Sequence, residues 1–264
     1  IQQLADWRRL IDSNRRISAI YGVAAWKRIT VDALLWDGSS PVRHARNVQP
    51  ITGADQNQIA WKSRTPPRLI SKLEDNAIPL GEIEDGFIRS IGLGANCVPP
   101  LSVIIDFEGI YFDPCQASDL EKILQCADIN STLIHRAAKL RQRLVDTDIS
   151  KYGRSQSGLK QTVTSRYKVL VAGQVEDDRS ILTGGSGTTN LELLAGARAC
   201  EPNAHIIYKP HPDVVAGHRK GHVEMADAMR FADDIKNISG ATLSCQHVTE
   251  GIQRLSALVG LLNA

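Results

Sequence analysis

The chain has 264 residues, 42% hydrophobic and 23% charged, enough apolar content to bury the core of one large or two modest α/β domains and too much for a disordered or fibrous sequence. Its 31 Lys and Arg against 29 Asp and Glu leave a net charge of +2, which argues against a nucleic-acid binder and keeps small anionic ligands open. Five scattered cysteines with no C-x-x-C pair indicate neither a disulfide framework nor a zinc site and fit a reducing cytoplasm, and no run approaches the ~18 apolar residues of a membrane span.

No charged n-region followed by an apolar h-region opens the chain, and its start at Ile1 suggests an excised or processed piece. Arg16 to Ala24 (RISAIYGVA) reads as a first strand, followed by Trp26-Lys27-Arg28 and a helical run from Ile29 to Trp36. Gly38-Ser39-Ser40-Pro41 is a turn. A second unit follows: a strand Gln58 to Trp61, Pro66-Pro67 at a helix start, a helix Arg68 to Asn76 and a strand Ile78 to Ile83. The alternation of β and α favours a small parallel sheet.

That strand runs into Glu84 to Gly94 (EDGFIRSIGLG), two carboxylates, an arginine and three glycines at a strand exit. Neighbouring carboxylates there suit acid/base or nucleophilic work, because each pulls the other's pKa away from its own. The plainer reading is an acidic turn before a glycine loop. Leu101 to Ile105 is apolar, and Asp106-Phe107-Glu108-Gly109 is expected to turn a hairpin into Ile110-Tyr111-Phe112. Ser118 to Cys126 and Ile129 to Leu144 are helical, the second with Leu133, Ala137, Leu140 and Leu144 on one stripe and Arg136, Lys139, Arg141 and Arg143 largely off it. Such a basic face either rests on an anionic membrane surface or is simply solvated. Lys151 to Thr164, polar and rich in glycine and serine, is the expected linker between a domain at residues 1–150 and one at 165–264.

In the second half Tyr167 to Ala172 is a buried strand leading to Gly173-Gln174-Val175-Glu176-Asp177-Asp178. Gly184-Gly185-Ser186-Gly187-Thr188-Thr189-Asn190 then enters a helix from Leu191 to Cys200. It is read either as a backbone nest for a phosphate or as an ordinary Thr or Asn N-cap. Ala204 to Tyr208 is a strand stopped by Lys209-Pro210-His211-Pro212, since neither proline can donate to a ladder. Lys209 and His211 at that carboxyl edge make a plausible phosphate clamp, or else solvated residues of a proline-rich exit. Gly217 to Val223 carries His218 and His222, which glycines mark as loop residues rather than metal ligands. Gly251 to Ala264 is an apolar helical run.

Taken in order, Glu84 to Gly94, Val98-Pro99-Pro100-Leu101-Ser102, Ile110 to Pro114, Ala172 to Ile181, Thr189-Asn190-Leu191 and Ile207 to Asp213 (IYKPHPD) resemble the capsule polysaccharide biosynthesis proteins of the KpsC type. That resemblance implies an α/β, GT-B-like fold of two Rossmann-type domains, the N-terminal one reduced and carrying extra helices. It implies a retaining β-Kdo transferase that takes Kdo from CMP-β-Kdo and extends a Kdo-terminated lyso-phosphatidylglycerol glycolipid for the capsule. The protein would be cytoplasmic, with peripheral contact to the inner membrane or the capsule export complex, and would need no cofactor or metal and bind no nucleic acid. By the same resemblance His211 donates to the CMP phosphate, and Glu84 or Asp85 is the acid/base. Retention implies either a covalent intermediate or front-face departure. For the former Asp178 is the candidate nucleophile, with Asp177 and Glu176 close behind. Gln174, Glu176, Thr189, Asn190, Lys209, His211 and Pro212 would hold nucleotide or sugar.

The family continues into a T/S-S-L-x-G-x-E-A-L segment and an aromatic G-x-P-F-Y-A-G-W-G stretch. Leu255 to Ala264 (LSALVGLLNA) keeps Ser256, Leu258 and Gly260, but Ala257 and Leu262 stand where the second hydroxyl and the glutamate would be, and the aromatic stretch is absent. The alternative reading is therefore a truncated, non-catalytic remnant that binds CMP or a partner. An epimerase or dehydrogenase is disfavoured because no G-x-G-x-x-G opens either half.

Overall fold

The computed structural model describes residues 17–36, 41–50, 57–154 and 163–236. By contacts the chain divides into two compact units, Ile1–Ala127 with Asp178–Gly187, and Asp128–Asp177 with Thr188–Ala264. This division differs from the expected one at residues 1–150 and 165–264. The helix Ser131–Asp146 goes with the second unit, and a ten-residue excursion returns to the first, where Arg179 finds an ion-pair partner.

The first unit is built on a five-stranded sheet of order β2-β1-β3-β4-β5, formed by β1 Ile17–Tyr21, β2 Arg43–His44, β3 Asn57–Ala60, β4 Leu80–Asp85 and β5 Val103–Asp106. The first four are parallel and β5 is antiparallel to β4, setting Glu84 opposite Ile104 and Asp85 opposite Val103. Apolar side chains fill both faces, as a parallel sheet requires: Ile20, Val31, Leu35, Ile59 and Ile83 in one cluster, Tyr21, Ala60, Leu73 and Ile78 in the other. The crossover helix after β1 is Ala25–Leu35, which starts four residues sooner than its apolar run suggested and so takes Trp26, Lys27 and Arg28 into its first turn. The helix before β4 is Pro67–Asp75, with Pro67 in its first turn, where its missing N–H costs nothing.

The expected hairpin between Leu101–Ile105 and Ile110–Phe112 does not form. β5 pairs with β4 instead, and the buried Asp106 carboxylate gathers the turn around itself. Its Oδ1 accepts from the amides of Glu108 (3.0 Å) and Gly109 (2.9 Å), and its Oδ2 from that of Asp119 (2.9 Å). This sends the chain into the helix Asp119–Cys126, capped by Ser118 and Glu121, rather than back along the sheet. Ile110 is buried and Tyr111 packs on Phe87 and Phe112 with ring centroids 5.1 and 5.4 Å apart.

The second unit begins with the helix Ser131–Asp146, none of whose residues is buried, so the expected stripe is not a core face: Leu133 and Leu144 are half-buried, Ala137 and Leu140 exposed. A short hairpin follows, β6 Ile149–Ser150 with β7 Gly153–Arg154. The main sheet is parallel, of order β10-β9-β8, with β8 Lys168–Ala172, β9 His205–Lys209 and β10 Asp234–Ile235. The helix Asn190–Cys200 crosses from β8 to β9, and Val171, Leu194, Ala204, Ile206 and Tyr208 form the core between them. Short helices Pro212–Val215 and Met225–Ala228 flank the loop of residues 217–223, in which His222 is exposed beside Glu224. Residues 38–40 of the expected turn, 155–162 of the expected linker and the run Gly251 to Ala264 lie outside the described residues. Among the described residues no helix is long and apolar enough to cross a membrane.

Candidate functional site

In the first unit β4 delivers Glu82 and Glu84 to one face, since side chains two apart on a strand point the same way. Glu82 is 2% exposed and receives the Arg179 guanidinium as a fork, Nη1 to Oε1 and Nη2 to Oε2 at 3.1 Å, with Lys62 Nζ 3.5 Å away. That buried pair fastens the helix Arg179–Gly184, whose N-cap is Asp178. The Asp178 carboxylate accepts from the Ser180 amide (3.1 Å) and hydroxyl (2.8 Å).

Glu84 feels Asp178 directly. Its carboxyl is pushed up to about 7, first by burial and then by the negative charges of Asp85 and Asp178, against the pull of Lys27 and a hydrogen bond from Trp61. Asp85 is held by two cations, Lys27 Nζ at 3.2 Å and Arg89 Nε at 2.7 Å. Lys27 lies over the Trp61 ring, 3.4 Å from its centroid, and burial outweighs Asp85 to bring its ammonium down to about 8. Arg89 is 1% exposed, and its Nη2 is buried with no partner. Tyr111 is raised by burial and then by Glu84, Asp178 and Asp85, which places its hydroxyl in the same field. The cluster thus pairs a carboxyl that titrates near neutrality with a carboxylate fixed by a helix cap, a combination fit for proton transfer beside nucleophilic attack.

Of the three neighbouring acids, Asp178 is the one that joins Glu84. Glu176 accepts from the Asn190 amide at 2.7 Å, and exposed Asp177 faces Arg219 at 3.3 Å.

In the second unit Asn190 is 2% exposed and ties the loop after β8 to the loop of residues 217–223. Its Oδ1 accepts from the Gln174 amide (2.7 Å), and its Nδ2 donates to the carbonyls of Gln174 (2.8 Å) and Gly221 (2.7 Å). Gly221 has φ +118°, and a Cβ there would sit 2.7 Å from both Asn190 Nδ2 and the Gln174 carbonyl. Thr189 is the N-cap of Asn190–Cys200, its hydroxyl accepting from the Glu192 amide (3.2 Å) while its own amide donates to Glu192 Oε2 (2.8 Å). Thr189 is therefore occupied in capping rather than opening a nest. At the end of β9 Lys209 is lowered by burial, and His211 caps the helix Pro212–Val215, its Nδ1 accepting from the Asp213 amide at 3.2 Å. A neutral ring with Nδ1 as acceptor carries its proton on Nε2. Among the described residues no three His, Cys, Asp or Glu side chains converge as metal ligands.

Sequence reasoning missed Lys27, Trp61, Glu82 and Arg179. The signal for Lys27 was its place in a Trp-Lys-Arg triplet just after the first strand; the 97-residue separation of Glu82 and Arg179 left none.

An α/β protein with strand-end carboxylates and a basic strand exit is a class that the comparisons narrow. Residues 57–152 and 126–241 match the family of capsule polysaccharide biosynthesis proteins, and the chain belongs to it. It is 37% identical over 265 residues to the capsule polysaccharide modification protein LipA of Neisseria meningitidis serogroup B, covering 98% of this chain and 37% of LipA. It is 45% identical over 150 residues to the lipopolysaccharide-processing protein LpsZ of Rhizobium meliloti, covering 55% of this chain and 34% of LpsZ. The chain thus spans just over a third of the length of these curated relatives. Two solved structures from Thermosulfurimonas dismutans are similar: KpsC, beta Kdo 2,4 transferase (TM-score 0.62, 25% identity, 83% of this chain and 73% of that one) and KpsC, beta Kdo 2,7 transferase (TM-score 0.56, 26%, 83% and 66%).

Proposed function

We propose that the chain is a module of a retaining glycosyltransferase that moves Kdo from CMP-β-Kdo onto a Kdo-terminated lyso-phosphatidylglycerol glycolipid, its two units being the halves of a GT-B-like enzyme. The observation that carries this reading is the cluster of Glu84, Asp85 and Asp178, together with the similarity to two Kdo transferases. In the proposed reaction Asp178 attacks the anomeric carbon of Kdo and the bond to the CMP phosphate breaks. His211 Nε2–H and Lys209 neutralise the departing phosphate. The acceptor hydroxyl then displaces Asp178 and gives its proton to the Glu84 carboxylate, which its pKa near 7 equips for the task. Lys27 and Arg89 ion-pair with Asp85, and the charge of Asp85 adds to burial in raising Glu84. Gln174, Glu176 and Asn190 shape the nucleotide side through the Asn190 staple. A cytoplasmic site with peripheral contact to an anionic membrane is part of the proposal, supported by the basic, exposed helix Ser131–Asp146.

The test is release of CMP from CMP-Kdo in the presence of a synthetic Kdo-terminated acceptor. Turnover that falls by at least a hundredfold in Asp178→Asn and Glu84→Gln supports the proposal. Turnover unaffected by both substitutions refutes it.

A further inference from the structure

The first unit contains a cavity of about 650 Å³ that the reaction above does not use. It lies at the carboxyl ends of β1 and β2 and over the segment that follows β3. In the order β2-β1-β3-β4 the chain leaves β1 first to one side and then crosses to the other, so the β1/β3 boundary is the point where the winding reverses. Crevices at such points are where open α/β sheets take ligands.

The charge of this cavity is one-sided. Arg28, His44, Arg46 and Arg64 line it, and no carboxylate does. His44 is engaged by Asp32, whose Oδ1 is 2.6 Å from Nε2. No hydrogen bond or ion pair engages the Arg28, Arg46 and Arg64 side chains among the described residues, and Arg28 Nε is buried without a partner. A buried donor left unpaired costs about 1–3 kcal/mol. Two helices add to the imbalance. Ala25–Leu35 starts from Ala24 and Pro67–Asp75 from Pro66, both lining residues with no side-chain cap, and neither helix has an acid in its first turn. Helix starts favour acids, yet the first turn of Ala25–Leu35 holds Lys27 and Arg28. Lys27 is offset by Asp85, whereas no carboxylate among the described residues pairs with Arg28.

The floor is rigid. Gly22 has φ +73° and a Cβ there would lie 2.4 Å from Thr65 Oγ1, whose hydroxyl is itself bonded to the Trp61 carbonyl at 2.9 Å. Trp61, behind the floor, in turn touches Glu84 and Lys27, so one residue links the floor to the carboxylate cluster.

We propose that this cavity is an oxyanion-binding site that holds an acidic group of the acceptor, a sugar carboxylate or a phosphodiester, through Arg28, Arg46 and Arg64. The assignment to an acceptor rests on the transferase reading; the oxyanion chemistry does not. Guanidinium groups suit either anion because both present paired oxygens to the fork.

The test is calorimetric titration of the full chain with three probes: the methyl glycoside of Kdo, the monomethyl ester of glycerol 1-phosphate (a phosphodiester) and CMP. Arg28→Gln, and separately the surface pair Arg46→Gln with Arg64→Gln, are compared with the unsubstituted chain. The expected result is binding of the Kdo glycoside or the glycerol phosphate ester that weakens at least tenfold in both variants, while CMP affinity is unchanged. Preference for the glycoside identifies the sugar carboxylate as the occupant, and preference for the glycerol phosphate ester the phosphodiester. If both anions bind equally well to the variants, or neither binds at millimolar concentration while CMP does, the site is refuted. Anion binding with the expected losses but without CMP binding upholds the site and refutes the transferase reading instead.

Discussion

Glu84→Gln removes an ionisation that burial and two neighbouring acids oppose, and its consequence for stability can be worked out in sign and size. The Glu84 carboxyl has an ordinary value of 4.5 and is raised to about 7 in the folded chain. Below pH 4.5 both folded and unfolded chains carry the proton and Glu84 contributes nothing. Between 4.5 and 7 the unfolded chain gives up the proton while the folded chain keeps it, so stability declines as pH rises. Above 7 both are ionised and the full cost is present, about 3 kcal/mol at 1.36 kcal/mol per tenfold change in proton affinity. Glutamine keeps an oxygen for Trp61 and never ionises. The variant should match the unsubstituted chain near pH 4.5 and exceed it by up to about 3 kcal/mol at pH 8, roughly 6–12 °C in melting temperature for a chain of this size. Urea unfolding at half-unit pH intervals measures this, alongside CMP release at pH 8, which should collapse in the same variant. Parallel stability curves for the two proteins from pH 4.5 to 8 would refute the burial and charge argument for Glu84.

Three further outcomes follow from the geometry. Arg179→Ala strands the buried Glu82 carboxylate and should cost about 3 kcal/mol in urea unfolding, while Arg179→Lys, which keeps the charge but loses the fork, recovers only part of it. Asn190→Asp sets carboxylate oxygens against the Gln174 and Gly221 carbonyls; a loss of about 2–4 kcal/mol is expected, together with weaker CMP binding by calorimetry. His211→Ala should weaken CMP affinity about tenfold or more through loss of a donor to a charged oxygen, whereas Cys200→Ser, at an exposed helix end, should leave it unchanged.

What could be read from the sequence was whatever depends on neighbours along the chain. The strands Lys168–Ala172 and His205–Lys209, the Pro66-Pro67 helix start and the proline stop after Lys209 all follow from local rules, and each falls within a residue or two of its expected place, while the first strand, expected to Ala24, ends at Tyr21. The acids at the ends of β4 and β8 were visible for the same reason. The failures were long-range. Asp106 offers hairpin chemistry in sequence, but its carboxylate is committed to the Asp119 amide 13 residues on, and β4 supplies the partner that Ile110–Phe112 was expected to be. Asp178 already stood first of the three acids by resemblance, but the Arg179–Glu82 pair and the Asn190–Glu176 bond, which separate its surroundings from those of Glu176, leave no trace in local spacing. Thr189 could be read either as a cap or as a nest, and Glu192 three residues later decided for the cap.

The central claim is that Asp178 is a nucleophile and that Kdo passes through a bond to it. Intact-mass and peptide-level mass spectrometry of the full chain incubated with CMP-Kdo alone tests this directly. The account predicts an adduct of one Kdo residue on the peptide containing Asp178, lost when acceptor is added and absent from Asp178→Asn. An adduct on a different residue, or full turnover by Asp178→Asn, would contradict it.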